Sequence, residues 1–299
     1  MRVRLPGPGG GHGGVDVALT GPSAAVPGQE DPSDRRTGPA EPAGSSGAPP
    51  RAAGRAWFPA LLATVAVGPL LRLVVLRHAV PSGTASRTGC DACGAPVGLT
   101  RPWPALGPAG RCGRCRARVG PPPGTVELAA LAGLATVVLL ALASLPGGAL
   151  PALAWWLGWT IPAVFVDLAV HRLPDRLTLP AAAGTWLLLA VAALGDPEPG
   201  PWLRAVTAGA GLALLFAGST LLLGRRGFGL GDAKLALSVG ALLGWYGWPV
   251  LLLGLLLAFG LSALVSLGLL AARRARWSTH LPFGPFLLLG TVGALLLAA

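Results

Sequence analysis

"GFGLGDAKL", residues 227–235, places three glycines and one aspartate directly before an apolar stretch that continues to about residue 272. A stretch of about 40 residues is long enough for two membrane passes, which would meet at a turn near "GWYGWP", residues 244–249. An ionisable group such as Asp232 at the edge of a membrane segment is costly and indicates a functional site. The alternative is that Asp232 caps the N-terminus of the following helix.

The whole chain has the composition of a membrane protein. Its 299 residues are 53% hydrophobic and 12% charged, with a mean hydropathy of +0.63, which is too apolar for an ordinary soluble domain. Solid runs of Leu, Ala, Val and Gly reach about 20 residues, the length of a membrane-spanning helix, whereas a β-barrel would alternate polar and apolar residues. We predict an all-α polytopic protein in the lipid bilayer, with about eight transmembrane helices at 57–76, 126–145, 149–170, 176–194, 203–223, two within 232–272, and 281–299.

The segments around these helices define the organisation of the chain. Residues 1–56 are rich in Gly, Pro, Ala and charge without apolar periodicity, which predicts a disordered N-terminal tail. Residues 57–76 form the first transmembrane helix, and a polar, cysteine-containing loop follows at 77–125. The remaining helices lie in 126–299, which we treat as one membrane domain.

The basic residues predict the orientation in the membrane. The net charge of +11 comes almost entirely from arginine, and in a membrane protein arginines flank helices on the cytoplasmic side. This interpretation is favoured over nucleic-acid binding, so we expect no nucleic-acid partner. The odd-numbered loops hold nearly all of the arginines outside the tail, including Arg101, Arg111, Arg114, Arg172, Arg176, Arg225, Arg226, Arg273, Arg274 and Arg276. We therefore place these loops in the cytoplasm.

Two acidic residues fall at the cytoplasmic membrane edge on different helices. Asp167 lies near the end of the third predicted helix and Asp232 opens the sixth. If they face each other, they cannot both ionise easily and share one proton. One carboxylate then acts as a base on water while the other acts as an acid, as in aspartic proteases. The alternatives are an ion pair of Asp167 with Arg172 or Arg176, and a role in ion transport.

Several neighbouring residues are candidates for a supporting role. Gly229 and Gly231 let the backbone approach a ligand closely. Asp175 follows Pro174 in "LPDRLTLP" and is expected to cap a helix or support the site. Lys234 is the only lysine in the chain and could orient a substrate or act on Asp232.

All four cysteines fall in the first loop, as "CDAC" (Cys90, Cys93) and "CGRC" (Cys112, Cys115). Two C-x2-C pairs with this separation are typical of a structural zinc site, in which each pair supplies two thiolates. The loop is short and proline-rich and is not expected to build its own core, so a metal would supply folding energy. The alternative is two disulfides, which a reducing cytoplasm disfavours.

Taken together, these motifs resemble the prepilin leader peptidases, which are GxGD-type intramembrane aspartic proteases. "GFGLGDAKL" resembles the motif of the second catalytic aspartate, which falls on Asp232, and "DLAVHRLPDRLTLP" (167–180) resembles the first, which falls on Asp167. "PFGPF" (282–286) resembles the C-terminal signature and "GPLLRLVVLRHAVPSG" (68–83) the N-terminal one. The resemblance implies that 126–299 is an intramembrane aspartic peptidase domain.

The same resemblance implies a substrate and a location. Members of the family cleave short basic leaders from prepilins and pseudopilins, single-helix membrane substrates of type IV pili and secretion systems, at the cytoplasmic face. The cut usually follows a glycine just before the apolar helix of the pilin. We therefore expect a multi-pass protein of the bacterial cell (inner) membrane with its active site facing the cytoplasm.

The cysteine loop resembles the bifunctional form of the family, which also methylates the new N-terminus with S-adenosylmethionine. Glu127 matches a family glutamate after the second cysteine pair. However, Arg72 stands where the family usually has an asparagine, and the usual loop asparagine is missing from "RPWPALGPAGRC" (101–112). The peptidase activity is therefore better supported than the methyltransferase activity.

Two other functions remain as alternatives. A proton-coupled transporter would use Asp167 and Asp232 as a relay and would place carboxylates near the middle of the bilayer. A non-catalytic assembly protein of pili or secretion systems would use the cysteine loop as a docking module. It would tolerate asparagine at both positions, whereas a peptidase would not.

Overall fold

The computed structural model describes residues 53–81, 83–143, 147–224, 228–274 and 281–299, without the side chains of 53–65 and 223. The first helix begins at Ala53, four residues before its predicted start. The prediction of a disordered tail otherwise concerns residues outside the described part of the chain.

Eight α-helices form within the described ranges, in agreement with the number predicted. They are α1 (Ala53–His78), α2 (Thr125–Leu142), α3 (Leu150–Val170), α4 (Asp175–Leu194), α5 (Gly200–Leu223), α6 (Leu230–Tyr246), α7 (Trp248–Ala271) and α8 (Gly284–Ala298). A short 3-10 turn, Gly147–Ala149, precedes α3. The apolar stretch that follows Asp232 breaks at Gly247, whose φ of 134° is one that few residues other than glycine adopt.

Five of these helices, α2, α3, α4, α5 and α7, are long and apolar enough to cross a membrane. Of the other three, α6 has 17 residues and α8 has 15, while α1 has 26 residues, of which 53–65 lack described side chains. The chain is therefore a multi-pass, all-α membrane protein. Its many exposed leucines, such as Leu194, Leu222 and Leu256, match a surface that faces lipid rather than water.

Helix α6 lies at the centre of the bundle, in contact with α4, α5, α7 and α8. Small residues allow this close approach: a Cβ on Gly240 would lie 2.6 Å from the carbonyl oxygen of Ala208, and one on Gly244 would lie 2.8 Å from that of Arg204. Glycine and alanine contacts of this kind are the usual basis of helix association in lipid. Asp232, at the start of α6, is thus held by the most enclosed helix.

The connections α3–α4, α5–α6 and α7–α8 meet at one end of the bundle. A Cβ on Gly231, at the start of α6, would lie 2.9 Å from the Cβ of Leu173 in the α3–α4 connection. One on Gly284, at the start of α8, would lie 3.7 Å from Cδ1 of the same leucine. Three connections that the arginine pattern assigned to one side of the membrane therefore contact one another.

The loop between α1 and α2 folds as a small unit, which we call the cysteine module (residues 83–124). It has an apolar cluster, formed by Cys90, Val97, Leu106, Cys112 and Val119 together with Leu73 and Leu76 of α1. The loop therefore does have a core, contrary to the expectation from its length and proline content. It obtains this core by sharing side chains with the first helix.

Candidate active site

Asp167 lies in the last turn of α3 and is 5% exposed. Its Oδ2 atom is buried and has no hydrogen-bond partner among the described residues. The salt bridges of the described residues do not involve Asp167, and Arg172 instead donates from Nη1 to the carbonyl oxygen of Val80 at 3.5 Å. The proposed ion pairs of Asp167 with Arg172 or Arg176 are therefore not formed.

Asp232 is half-buried in the first turn of α6. Gly229 is the residue before this helix, and its backbone N–H donates to Asp232 Oδ2 at 3.2 Å. The aspartate thus does cap the helix, but from inside the first turn rather than from the position before it. Gly231, the neighbour of Asp232 in sequence, packs against Leu173, which also contacts Gly284, and Gly284 lies against Asp167 Oδ2. The two acids that the sequence singled out therefore lie at the same end of the bundle.

Gly284 and Gly231 allow the backbone to pack closely around the two acids. A Cβ on Gly284 would come within 2.8 Å of Asp167 Oδ2, closer than real side chains approach. Gly231 likewise has no side chain where Leu173 packs, since a Cβ on Gly231 would lie 2.9 Å from the Cβ of Leu173. Leu173 therefore lies between the segments that carry Asp232 and Gly284. Sequence reasoning missed Leu173, although it lies inside the quoted motif 167–180.

Lys234 pairs with Asp175 rather than with either buried aspartate. Lys234 Nζ lies 2.5 Å from Asp175 Oδ1, and the two side chains are 36% and 61% exposed. This pair joins the start of α4 to the start of α6. Both residues were predicted to support the site, and that role stays a prediction. The contact between them was not predicted.

An aromatic cluster connects the glycine-rich segment to the start of α8. Phe228 stacks on Phe216 of α5 with ring centroids 4.4 Å apart, and it packs against Phe283 at 5.1 Å and Phe259 at 5.8 Å. Each such aromatic pair stabilises the fold by about 0.5–1.5 kcal/mol beyond the effect of burying its apolar surface. The cluster was not predicted, although phenylalanine in both "GFGLGD" and "PFGPF" was a signal for it.

The four cysteines converge in the cysteine module. Cys90 and Cys115 have their Sγ atoms 3.7 Å apart, as do Cys93 and Cys112, and all four Sγ atoms lie within 4.8 Å of one another. The thiols are free, so the disulfide alternative is not formed. The cluster could hold one metal ion.

Arg72 and Glu127 form a buried ion pair that attaches the cysteine module to the membrane helices. Nε of Arg72 lies 2.6 Å from Glu127 Oε1, and Nη2 lies 2.8 Å from Oε2. The guanidinium, 2% exposed, also donates to three carbonyl oxygens of the module, those of Pro108, Pro121 and Pro122. Both carboxylate oxygens of Glu127 are thus engaged by one side chain.

Comparison with known proteins gives consistent matches. The model of the type IV leader peptidase family matches residues 151–270. A prepilin leader peptidase/N-methyltransferase of Aeromonas salmonicida is 36% identical over 208 residues, which cover 67% of this chain and 68% of the relative. Proteins of the same name from Aeromonas hydrophila and Pseudomonas aeruginosa are 35% and 32% identical, with the same coverage. No solved structure matches.

Fold and site together define a polytopic helical membrane protein that presents two acidic motifs at one end of its bundle. With relatives of this identity and coverage, the chain belongs to the type IV leader peptidase family. The resemblance noted in its motifs is confirmed.

Proposed function

We propose that this chain is a membrane aspartic endopeptidase that removes the leader peptide from prepilins or pseudopilins, with Asp167 and Asp232 as its catalytic residues. The observation that carries the proposal is the position of the two acids at the same end of the bundle, in the last turn of α3 and the first turn of α6, whose neighbouring residues Gly231, Leu173 and Gly284 pack together. The relatives are named for leader peptidase activity. The proposed substrate is a membrane protein whose cleavage site lies beside its apolar helix.

The chemistry follows from two carboxyl groups that share one proton. The ionised carboxylate takes a proton from water while the oxygen of that water attacks the carbonyl carbon of the scissile peptide. The protonated carboxyl group gives its proton to the carbonyl oxygen. When the tetrahedral intermediate collapses, the C–N bond breaks and the leaving nitrogen takes a proton from the site. The burial of Asp167 keeps bulk water away from this exchange.

The neighbouring elements position this chemistry. The capping hydrogen bond from Gly229 holds the Asp232 carboxyl group, and Gly284 leaves Asp167 Oδ2 without a side chain against it. Gly229 and Leu230 are exposed residues, and we place the substrate backbone beside them. We place this edge at the cytoplasmic face of the bacterial cell membrane, because the connections beside it carry arginines.

A transporter is less well supported than a peptidase. The two acids lie at helix ends, in the last turn of α3 and the first turn of α6, and not at mid-helix breaks such as transporters use. An assembly protein would have no need of a buried carboxyl oxygen left without a partner.

The proposal is tested by the intact mass of a prepilin from the same genome after incubation with this protein in membranes. Loss of the leader mass supports the peptidase, and an unchanged mass with folded protein contradicts it.

We further propose that the metal of the cysteine module is a structural zinc ion held by Cys90, Cys93, Cys112 and Cys115. In a regular tetrahedron with Zn–S distances of about 2.3 Å, the sulfur atoms are about 3.8 Å apart, close to the 3.7 Å of two pairs in the module. Four thiolates close the coordination sphere, which is typical of structural rather than catalytic zinc. Zinc would stabilise the module beyond its small apolar cluster.

Serine in place of Cys93 is expected to remove the zinc. The purified wild-type protein should contain about one zinc per chain, and the variant well below half of that, because three thiolates no longer close the site. Elemental analysis measures the zinc, and limited proteolysis should show faster cleavage within residues 83–124. Arg114→Gln is the control, since Arg114 is exposed beside the ligands but supplies none. Full zinc in Cys93→Ser would contradict the assignment.

N-methylation with S-adenosylmethionine is a second candidate, favoured by the names of the relatives, which include N-methyltransferase. The residues at the cysteine module do not fit this methyltransferase activity well. Glu127, which matches the family glutamate, has both oxygens bound by Arg72, so it offers no free carboxylate. We derive no step through S-adenosylmethionine. The same mass measurement tests the activity, because a methylated product carries one added methyl group.

The Lys234–Asp175 pair is expected to make a modest contribution to the rate of leader cleavage. Exposed ion pairs contribute about 0.2–1 kcal/mol, so Lys234→Met or Asp175→Asn should lower the cleavage rate less than about fivefold. The exchanged pair, Lys234→Asp with Asp175→Lys, should recover most of the loss if the contact itself matters. Initial cleavage rates measure this. A loss of activity in the exchanged pair as complete as for a catalytic aspartate would assign one of these residues a direct role.

Alanine in place of Gly284 is expected to slow cleavage about tenfold or more, because small displacements of a catalytic group carry large kinetic penalties. The added Cβ would come within 2.8 Å of Asp167 Oδ2 and would displace it. Gly158→Ala, on the same helix as Asp167, is the control, because a Cβ there meets no atom within 4 Å. Equal rates for both variants would show that Asp167 tolerates displacement.

A further inference from the structure

A cavity of about 560 Å³ lies beside the candidate active site. It is formed by the end of α1, by Val80 and residues 83–86, by the α3–α4 connection and by the start of α4. Neither Asp167 nor Asp232 lines it, so it is distinct from the pair of acids. Its volume falls in the range of small-molecule binding sites, about 300–1,000 Å³.

The charges that line the cavity are unbalanced. Three arginines line it, Arg77 from α1, Arg172 from the α3–α4 connection and Arg176 from the start of α4. None of the salt bridges among the described residues involves these arginines. The one acidic residue of the lining, Asp175, is already paired with Lys234 at 2.5 Å. Three like charges around one cavity repel each other unless an anion enters it.

The cavity also contains hydroxyl groups and lies at the membrane surface. Thr84 and Ser86 contribute to its lining. Arg77 is in the last turn of α1 and Arg176 in the first turn of α4, so the cavity is at the level where membrane helices end. The basic leader that the family resemblance implies would be repelled by the three guanidinium groups. The three guanidinium groups would instead bind an oxyanion, since arginine binds phosphate through parallel charge-assisted hydrogen bonds.

We propose that this cavity is a phosphate-binding site, with the headgroup of an anionic phospholipid as its main ligand. Arg77, Arg172 and Arg176 bind the phosphate oxygens, and the acyl chains extend along the helices into the bilayer. The inference is independent of the peptidase chemistry, because it depends only on the lining of the cavity and on the membrane location. A small soluble phosphate compound is the other ligand that the same three arginines would bind.

Native mass spectrometry of the full-length, detergent-purified protein tests the proposal. The probes are a short-chain phosphatidylglycerol, glycerol phosphate and inorganic phosphate, with a short-chain phosphatidylcholine for comparison. The wild type should bind one phosphatidylglycerol in preference to phosphatidylcholine. Glycerol phosphate or inorganic phosphate that binds equally well would identify a free phosphate as the source, whereas binding of the lipid alone would identify the headgroup.

Two variants with the same charge change separate the cavity from general surface charge. The cavity variant, Arg77→Gln with Arg176→Gln, should bind the preferred probe about tenfold more weakly or worse, since each basic residue at a membrane surface contributes measurably to anion binding. The control variant, Arg101→Gln with Arg274→Gln, removes two exposed arginines elsewhere and should bind as the wild type does. Ser86→Trp fills the cavity without a change of charge and should also weaken binding. Equal affinities in all variants, or no binding to the wild type, would overturn the proposal.

Discussion

Asparagine in place of Asp167 or of Asp232 is expected to abolish leader cleavage. Each variant keeps the shape of the side chain but removes the group that carries or accepts the shared proton. Positioned acids and bases contribute about 10²–10⁴-fold to rate, and here both are required in the same step. The measurement is the initial rate of leader loss from a prepilin, followed by intact mass.

Two controls make this result specific. Glu198→Gln removes an exposed carboxylate in the α4–α5 connection and should leave the rate unchanged. Thermal unfolding of Asp167→Asn should match that of the wild type, because Asp167 Oδ2 has no hydrogen-bond partner among the described residues. Asp232→Asn should also stay folded, because the amide oxygen of asparagine can accept the hydrogen bond from Gly229. Full cleavage by either asparagine variant would rule out that residue as a catalytic acid or base.

Methionine in place of Arg72 is expected to destabilise the protein by about 3–5 kcal/mol, the usual effect of removing one partner of a buried ion pair. The substitution leaves the Glu127 carboxylate and three carbonyl oxygens of the cysteine module without their donor. Thermal unfolding of the purified protein in detergent measures the loss. Protease sensitivity should increase first within residues 83–124, because the pair attaches that module to the helices.

Arg101→Met is the matched control for this prediction. It removes the same side chain from an exposed position of the cysteine module and should change stability little. The double variant Arg72→Met with Glu127→Leu should be more stable than Arg72→Met alone, because no buried charge is left unpaired. An unfolding temperature for Arg72→Met equal to that of the wild type would show that the pair contributes no net stability.

Much of the fold could be predicted from the sequence because apolar length alone specifies membrane helices. The predicted boundaries of α3, α4 and α5 fall within about three residues of those observed, since Pro and Gly interrupt the apolar runs at both ends. The predicted extent of α1 differs more, because its first residues are not solidly apolar. Asp167 and Asp232 could be identified because so few acids occur in the membrane segments.

Other parts of the site depend on three-dimensional contacts that no local pattern specifies. The pairing of Lys234 with Asp175 links residues that are 59 positions apart. Leu173 has no chemical feature that marks it, and its role arises only from the space that Gly231 and Gly284 leave. Arg72 could be recognised as unusual for its position, but its partner could not be identified by any periodicity.

The contact between Arg72 and Glu127 also has a consequence for biogenesis. The two residues are 55 positions apart, so Arg72 leaves the ribosome well before its partner is synthesised. During that interval α1 carries a guanidinium inside an apolar segment, which by itself opposes insertion. The charge of Arg72 is fully paired only when Glu127, in the first turn of α2, has been synthesised. The whole cysteine module is synthesised before that point. The first two helices and the module between them therefore become a stable unit only as a hairpin, and not one after the other.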